Sequence, residues 1–358
     1  MPVALFDTAS PLAPLRDELH AAVERVLASG RFILGPEVEA FEAEFAAYIG
    51  TEHAIGVANG TDALTIALRA MGVGPGDEVV VPSFTFYATA EAVPHTGATV
   101  VFCDVDPQTL CLSAETVRAA LTPRTKAIVA VHLFGNVAPI AEIAALGVPV
   151  LEDAAQAAGS LGAEGRPGSL GAAATFSFYP SKNLGAFGDG GAITTNDAAI
   201  AKRIRLLRFH GSSDKERFEL VGYNSRLDAI QAAILRVQLP HLDGWARGRR
   251  HAAELYAQAG LGELVALPQA ASGSQPAWHL YVVRSDRAAE LERALGARGI
   301  ETRGYYRVPI HRQQPLRADV ELPHTDAAAA TNLAIPIGPY LQAEQVEEVV
   351  VAVRDALS

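Results

Sequence analysis

The chain has 358 residues, of which 49% are hydrophobic and 19% charged, and its formal net charge is −11. That length can bury a substantial core in one large or two medium domains, and the acidic balance argues against non-specific nucleic-acid binding. No apolar run reaches the ~18 residues of a membrane span, the N-terminus lacks a signal-peptide pattern, and two cysteines cannot staple a fold this size, so a cytoplasmic setting is expected.

Short apolar runs alternate with amphipathic stretches from about residue 54 to residue 195. After an N-terminal arm or helix, strands are predicted at 54–57, 78–81, 99–103, 127–131, 148–151, 175–178 and 191–194. A helix is predicted at 62–71, where Ala63, Ile66, Ala67 and Ala70 recur at helical spacing. Val- and Ile-rich strands separated by helices imply an α/β fold with a mostly parallel sheet covered on both faces. A helical stretch at 226–238 follows, with Leu227, Ile230, Ile234 and Val237 as its stripe, and Pro240 separates it from another at 242–258. Beyond the Gly/Ser/Pro-rich 268–276, the pattern predicts a strand at 279–283 and helices at 288–298 and 343–357. We therefore expect a large domain over 1–240 and a smaller C-terminal α/β domain over 241–358, with a ligand cleft between them.

Four segments carry polar or aromatic groups where the predicted strands end. Asn59-Gly60-Thr61-Asp62 joins a strand to a helix; Thr61 can cap that helix, and free backbone N–H groups there favour a phosphate. In Pro82–Phe86, Phe86 can stack on a flat ring, although core packing is the commoner fate of such a residue. In Leu151-Glu152-Asp153-Ala154-Ala155-Gln156, an apolar run delivers Asp153 to the carboxyl end of a strand, where open α/β sheets meet ligands. A buried carboxylate there needs a cationic or hydrogen-bonding partner, and a protonated ring nitrogen would serve. In Thr175–Asn183, a strand leads to Lys182, with Ser177 five residues before it. Lysine forms Schiff bases with aldehydes, and burial lowers its pKa toward useful reactivity. Only four lysines accompany 25 arginines in this chain, which singles out Lys182. The Gly-rich 185–191 leads into a strand, so it is no dinucleotide fingerprint, and no metal site is expected from the ten scattered histidines.

Taken in order, phosphate turn, aromatic residue, acid, serine and lysine compose a pyridoxal 5'-phosphate (PLP) site. With the segments 29–36, 74–86, 224–231 and 306–311, they make the sequence resemble the DegT-type nucleotide-sugar aminotransferases, fold type I PLP-dependent enzymes, over nearly the whole chain. The resemblance implies that Lys182 holds PLP as a Schiff base and moves protons, and that Asp153 pairs with the pyridine nitrogen. It implies that Gln156 lies beside the ring's phenolic oxygen, that Phe86 stacks on the ring, and that Thr61 and Ser177, with the backbone around Gly60 and Asp62, hold the phosphate. Asn224 matches a phosphate ligand reaching in from the other subunit of a homodimer. Phe32, Asn183, Arg226, Tyr306, His311 and Gln313 lie in segments that flank the substrate in relatives, the substrates being a nucleotide-linked ketosugar and an amino donor, glutamate in most. One departure is visible: Ala158 stands where relatives often carry His. The resemblance also leaves room for a PLP-binding sugar sensor without turnover, and for the sugar dehydratases that carry His in place of the lysine.

Overall fold

This computed structural model describes residues 3–358. Two helices open the chain. Helix α1 (Arg16–Ser29) buries Leu19, Ala22 and Val26, and α2 (Pro36–Ile49) buries Val38, Phe41, Phe45 and Ile49. Both stop at a glycine in left-handed backbone, Gly30 (φ 64°) and Gly50 (φ 88°), a conformation that strains other residues.

The main sheet contains β1 (His53–Val57), β2 (Glu78–Pro82), β3 (Thr99–Cys103), β4 (Thr125–Val131), β5 (Val150–Asp153), β6 (Ala173–Ser177) and β7 (Gly191–Thr195), in the order β1-β7-β6-β5-β4-β2-β3. Strands β2 to β6 run parallel to their neighbours, whereas β7 is antiparallel to both β6 and β1. All seven predicted strands are present, with their ends moved by a residue or two. Val79, Val80, Ile128, Val129 and Leu151 are fully buried, as strands covered on both faces require.

Helix α3 (Gly60–Ala70) covers one face through Ala63, Ile66, Ala67 and Ala70. The short α4 (Ala88–Glu91), α5 (Ala114–Ala120) and α6 (Ile140–Ala144), then α7 (Ala198–Arg208) and α8 (Ala229–Gln238), complete the covering layers. On the other face α2 meets β6 edge-on: the Phe45 and Phe176 rings lie 4.9 Å apart at 87°, and Phe45 meets Phe178 at 5.5 Å and 86°. This packing fixes the end of β6 where the chain leaves the sheet toward Lys182.

The C-terminal part begins with α9 (Leu242–Gln258). Its strands β8 (Tyr281–Arg284) and β9 (Asn332–Ile335) pair antiparallel, and α10 (Ala288–Ala297), α11 (Pro323–Thr331) and α12 (Ala343–Leu357) surround them. Tyr256, Leu291, Leu295 and Val349 form a separate core there. Val3 belongs to that core and bridges Ile300 in parallel, whereas Leu5, two residues on, packs into the main-sheet core with Val80, Phe84 and Ile128. Among the described residues no helix is long and apolar enough to cross a membrane.

Candidate active site

The ends of β5 and β6, the start of α3 and the 303–306 loop surround a cavity of about 1040 Å³. Among the sequence-predicted residues, Gly60, Thr61, Asp62, Phe86, Asp153, Gln156, Ser177, Lys182 and Tyr306 line it. They come from distant parts of the chain, and the parallel sheet brings them together by aligning its carboxyl ends.

Asp153 is buried at the last position of β5. Thr89 Oγ1 donates to its Oδ2 at 2.9 Å, and the Ala155 N–H donates to its Oδ1 at 3.2 Å. Burial pushes its carboxyl above the ordinary range, against the pull of those donors and of the Lys182 charge. Its neighbour Glu152 points the opposite way, as strand alternation demands, and accepts from Gly168 N (2.8 Å), Leu170 N (2.8 Å), Gly171 N (2.7 Å) and His132 Nε2 (2.8 Å). His132 Nδ1 accepts from Ala138 N at 3.0 Å, which leaves Nε2 as the protonated nitrogen. Glu152 thus braces the strand end from behind while Asp153 faces the cavity.

Lys182 lies in the loop between β6 and β7. Its backbone N–H donates to Tyr179 O at 2.8 Å, and burial draws its ammonium pKa down to about 8, with Asp153 opposing. At neutral pH an appreciable minority of such a group is free amine, which makes it more nucleophilic than an ordinary lysine.

At the start of α3 the cap is Asn59, whose side chain accepts from Asp62 N at 2.8 Å. Thr61 is therefore not the cap expected from the sequence; it lies in the first turn and lines the cavity. The Asp62 N–H is likewise committed to Asn59, so of the expected backbone donors Gly60 and Thr61 remain, with no acceptor inside the helix. Gly60 is pressed against Ser177: a Cβ there would sit 2.8 Å from Ser177 Cβ and 3.3 Å from its Oγ.

These residues fit PLP. Asp153 is a buried carboxylate with no ion-pair partner among the described residues, as a protonated pyridine nitrogen requires. The close approach of Gly60 to Ser177, beside a helix N-terminus, makes an anion cradle of phosphate size. Phe86 leaves 60% of its surface open and lines the cavity, whereas Phe84 of the same segment is fully buried. Gln156 is held on two sides, its Oε1 accepting from Phe134 N at 2.6 Å and its Nε2 donating to the Tyr306 hydroxyl at 3.1 Å. The Phe134 and Tyr306 rings stack at 5.8 Å, and both residues hold left-handed backbone (φ 58° and 51°), a strain that clusters at functional sites.

Other expected residues lie outside the cavity lining. Asn183 is buried, donating to Ala158 O and Ala277 O, and His311 is buried against Ser83, whose Oγ is 2.7 Å from its Nδ1. Both use polar atoms to hold neighbouring loops. Gln313 is half-buried and donates to Val308 O at 3.0 Å, and Phe32 is 45% exposed. Asn224 is exposed and accepts from the Arg226 guanidinium. Conversely, Thr89, Asp189, His279 and Arg303 line the cavity without having been anticipated. Burial and the Lys182 and Arg249 charges hold the His279 pKa well below its ordinary value, so it is neutral; its Nδ1 lies 3.2 Å from Asn183 Oδ1.

Comparison with known proteins agrees with this geometry. A sequence model of the DegT/DnrJ/EryC1/StrS aminotransferase family matches residues 14–354. The chain is 46% identical to the dTDP-3-amino-3,4,6-trideoxy-alpha-D-glucose transaminase of Streptomyces venezuelae, covering 99% of this chain and 96% of that protein. It is 44% identical to the Pleiotropic regulatory protein of Geobacillus stearothermophilus, over 98% of this chain and 97% of the relative. Among solved structures, S. venezuelae DesV in complex with a ketimine intermediate superposes with a TM-score of 0.95 at 45% identity, covering 99% of this chain and 98% of that one. NtdA of Bacillus subtilis, with bound cofactor PMP, superposes with a TM-score of 0.90 at 28% identity over 99% and 85% of the two chains. From its sequence match over nearly its full length, and with a cavity fitted to the same cofactor chemistry, this chain belongs to the DegT/DnrJ/EryC1/StrS aminotransferase family.

Proposed function

We propose that this protein moves an amino group from glutamate to a keto group at C3 of a nucleotide-linked sugar, acting as a PLP-dependent homodimer in the cytoplasm. The observation that carries the reading is the convergence of Lys182, Asp153 and the Gly60–Ser177 cradle on one cavity. The 46% identical relative, a transaminase of a dTDP-3-amino sugar, supports both the substrate class and C3.

PLP bound here supplies an aldehyde that captures amines and a ring that accepts electrons. The chain's residues do the rest. The first-turn N–H groups of Gly60 and Thr61 and the Thr61 and Ser177 hydroxyls bind the phosphate, with the positive end of α3 behind them. Asp153 holds a proton at the pyridine nitrogen, and its burial makes that ion pair strong. Phe86 would cover the cofactor ring, and Gln156, fixed by Phe134 and Tyr306, would orient its phenolic oxygen. Lys182 would hold the cofactor's aldehyde and, as a free amine, would take the donor's α-proton on Nζ and later return a proton to the sugar carbon. The two substrates use one cavity in turn, which gives ping-pong kinetics.

Support for the homodimer comes from the neighbourhood of Asn224. Val221 (80% exposed) precedes it, Ile33 (50%) bridges Asp228, and the N–H of Phe187 (51%) donates to Gln231 Oε1 at 2.8 Å, so several exposed apolar side chains gather there. Such a patch on an aqueous surface calls for a partner, and Asn224 would cross with it into the second cavity.

The 44% identical regulatory relative keeps a sensing role in view as the second reading. One assay separates them: purified protein with PLP, L-glutamate and 3-keto nucleotide sugars, scored for 2-oxoglutarate and aminosugar. A transaminase gives both products, and Lys182→Ala gives neither. A protein that binds PLP and releases no keto acid with any of these sugars would leave the sensing reading.

A further inference from the structure

We infer that Arg303 is the cavity's oxyanion anchor: its guanidinium grips a carboxylate or phosphate group of the incoming substrate. The inference rests on the cavity being a transaminase site, and it names how that site holds a charged substrate.

Arg303 and Lys182 are the lysine and arginine side chains that line the cavity, and Asp62, Asp153 and Asp189 are its carboxylates. Both substrate classes proposed above are anions: a dicarboxylic amino acid, and a sugar carrying a diphosphate. Lys182 cannot serve as their counter-charge, because its amine takes part in the chemistry. An anion entering a cavity with this balance needs a permanent cation, and a guanidinium supplies one at any working pH.

Nine other arginines are already committed: Arg25, Arg124, Arg166, Arg208, Arg236, Arg287, Arg298, Arg307 and Arg312 each ion-pair with a carboxylate. Among the described residues no carboxylate ion-pairs with Arg303, although three lie in the same cavity. Its contact is with an aromatic face: the guanidinium carbon sits 5.6 Å from the centre of the Tyr305 ring. A guanidinium held beside a ring and not by a carboxylate keeps N–H donors for a ligand, and their fork matches the paired oxygens of a carboxylate or phosphate.

The mount is rigid. Arg303 and Ala334 exchange backbone hydrogen bonds at 3.1 and 2.8 Å, tying the loop to β9, and Tyr305 N donates to Asn332 Oδ1 at 2.7 Å. The Tyr305 ring packs against Phe134 (6.2 Å) and Tyr306 (5.8 Å). The backbone beneath the cation is therefore fixed, while the Arg303 side chain itself is exposed and open to a ligand.

The test is direct binding, independent of turnover. Isothermal titration with glutarate, an unreactive dicarboxylate, and with dTDP and UDP is carried out on the PLP-loaded wild type, Arg303→Met, Arg303→Lys and the control Arg307→Met. Arg307 is paired with Glu292 and lies outside the cavity lining. Arg303→Met should weaken at least one ligand class by ten-fold or more, with Arg303→Lys intermediate and Arg307→Met unchanged. Loss of glutarate assigns the anchor to the donor carboxylate, and loss of the nucleotides assigns it to the diphosphate. The inference is overturned if the wild type binds neither class, if Arg303→Met binds both as the wild type does, or if Arg307→Met weakens them equally. A wild type that binds these anions and fails to transaminate would sink the proposed function and leave the anchor standing.

Discussion

Replacing Lys182 by Met in the cofactor-free protein should raise its stability at neutral pH. Folding buries the lysine, and its pKa falls from 10.5 to about 8 because desolvation outweighs the attraction of Asp153. At about 1.4 kcal/mol per unit, holding this lysine charged in the fold costs roughly 3 kcal/mol. The unfolded chain binds the proton more tightly, so the penalty is complete below pH 8, shrinks as pH rises from 8 toward 10.5, and vanishes above. Methionine also removes a positive neighbour from Asp153, whose carboxyl burial already pushes up, so the net gain at pH 7 should be about 1–2 kcal/mol. Urea denaturation of both proteins, followed by the fluorescence of the buried Trp245 and Trp278, measures it at pH 7 and again near pH 10. The reasoning fails if the Met variant is no more stable at pH 7, or if its advantage is as large near pH 10.

Three other substitutions test separate parts of the site. Lys182→Arg keeps a positive charge but cannot form an imine or shuttle a proton, so 2-oxoglutarate formation should fall to about one-hundredth or less; near-normal turnover would refute the assigned role. Gly60→Ala places a methyl 2.8 Å from Ser177 Cβ. A helix-propensity gain of up to ~1 kcal/mol partly offsets an overpacking cost of ~1–3 kcal/mol, so melting should shift little while PLP affinity, read by equilibrium dialysis, drops at least ten-fold. Glu152→Ala strips the acceptor from three buried backbone N–H groups and His132, and should cost about 3 kcal/mol or more in denaturant titration. Glu152→Gln should recover little of this, since its NH2 group would face N–H donors.

Residues whose role follows from strand ends were readable in the sequence, because a parallel sheet of continuous Val/Ile runs announces both itself and where it stops. Asp153, Ser177 and Lys182 are such residues, and the structure brings them to one cavity. The helix cap was misread because Asn59 and Thr61 are both good caps, and only the backbone decides between them; Asn59 is extended (φ −165°, ψ 174°). Thr89, His279 and Arg303 carried no local signal. Each reaches the cavity through a long-range contact, from α4, the approach to β8 and the loop before α11. Asn183 and His311 show the reverse case: polar residues beside the right segments whose hydrogen bonds turn inward. Strand β9 follows the alanine-rich α11 and is four residues long, too short to show an alternation.

The antiparallel placement of β7 bears on how the chemistry could be moved between proteins. Residues 178–190 leave the sheet on β6 and return on the adjacent strand, and the loop is closed at its base by Ser177 pairing with Gly191, by Phe178 N donating to Gly190 O (2.8 Å) and by Ala186 N donating to Phe178 O (2.8 Å). Lys182 and Ser177 therefore share one hairpin, whereas Asp153 and the Gly60 turn depend on distant crossovers. Local contacts form fastest in folding, so the lysine's surroundings can assemble before the rest of the site exists. Moving residues 173–195 to a related sheet as one piece would therefore require the α2 phenylalanines that pack on Phe176 and Phe178, and the Gly60 turn pressed against Ser177, to be matched there.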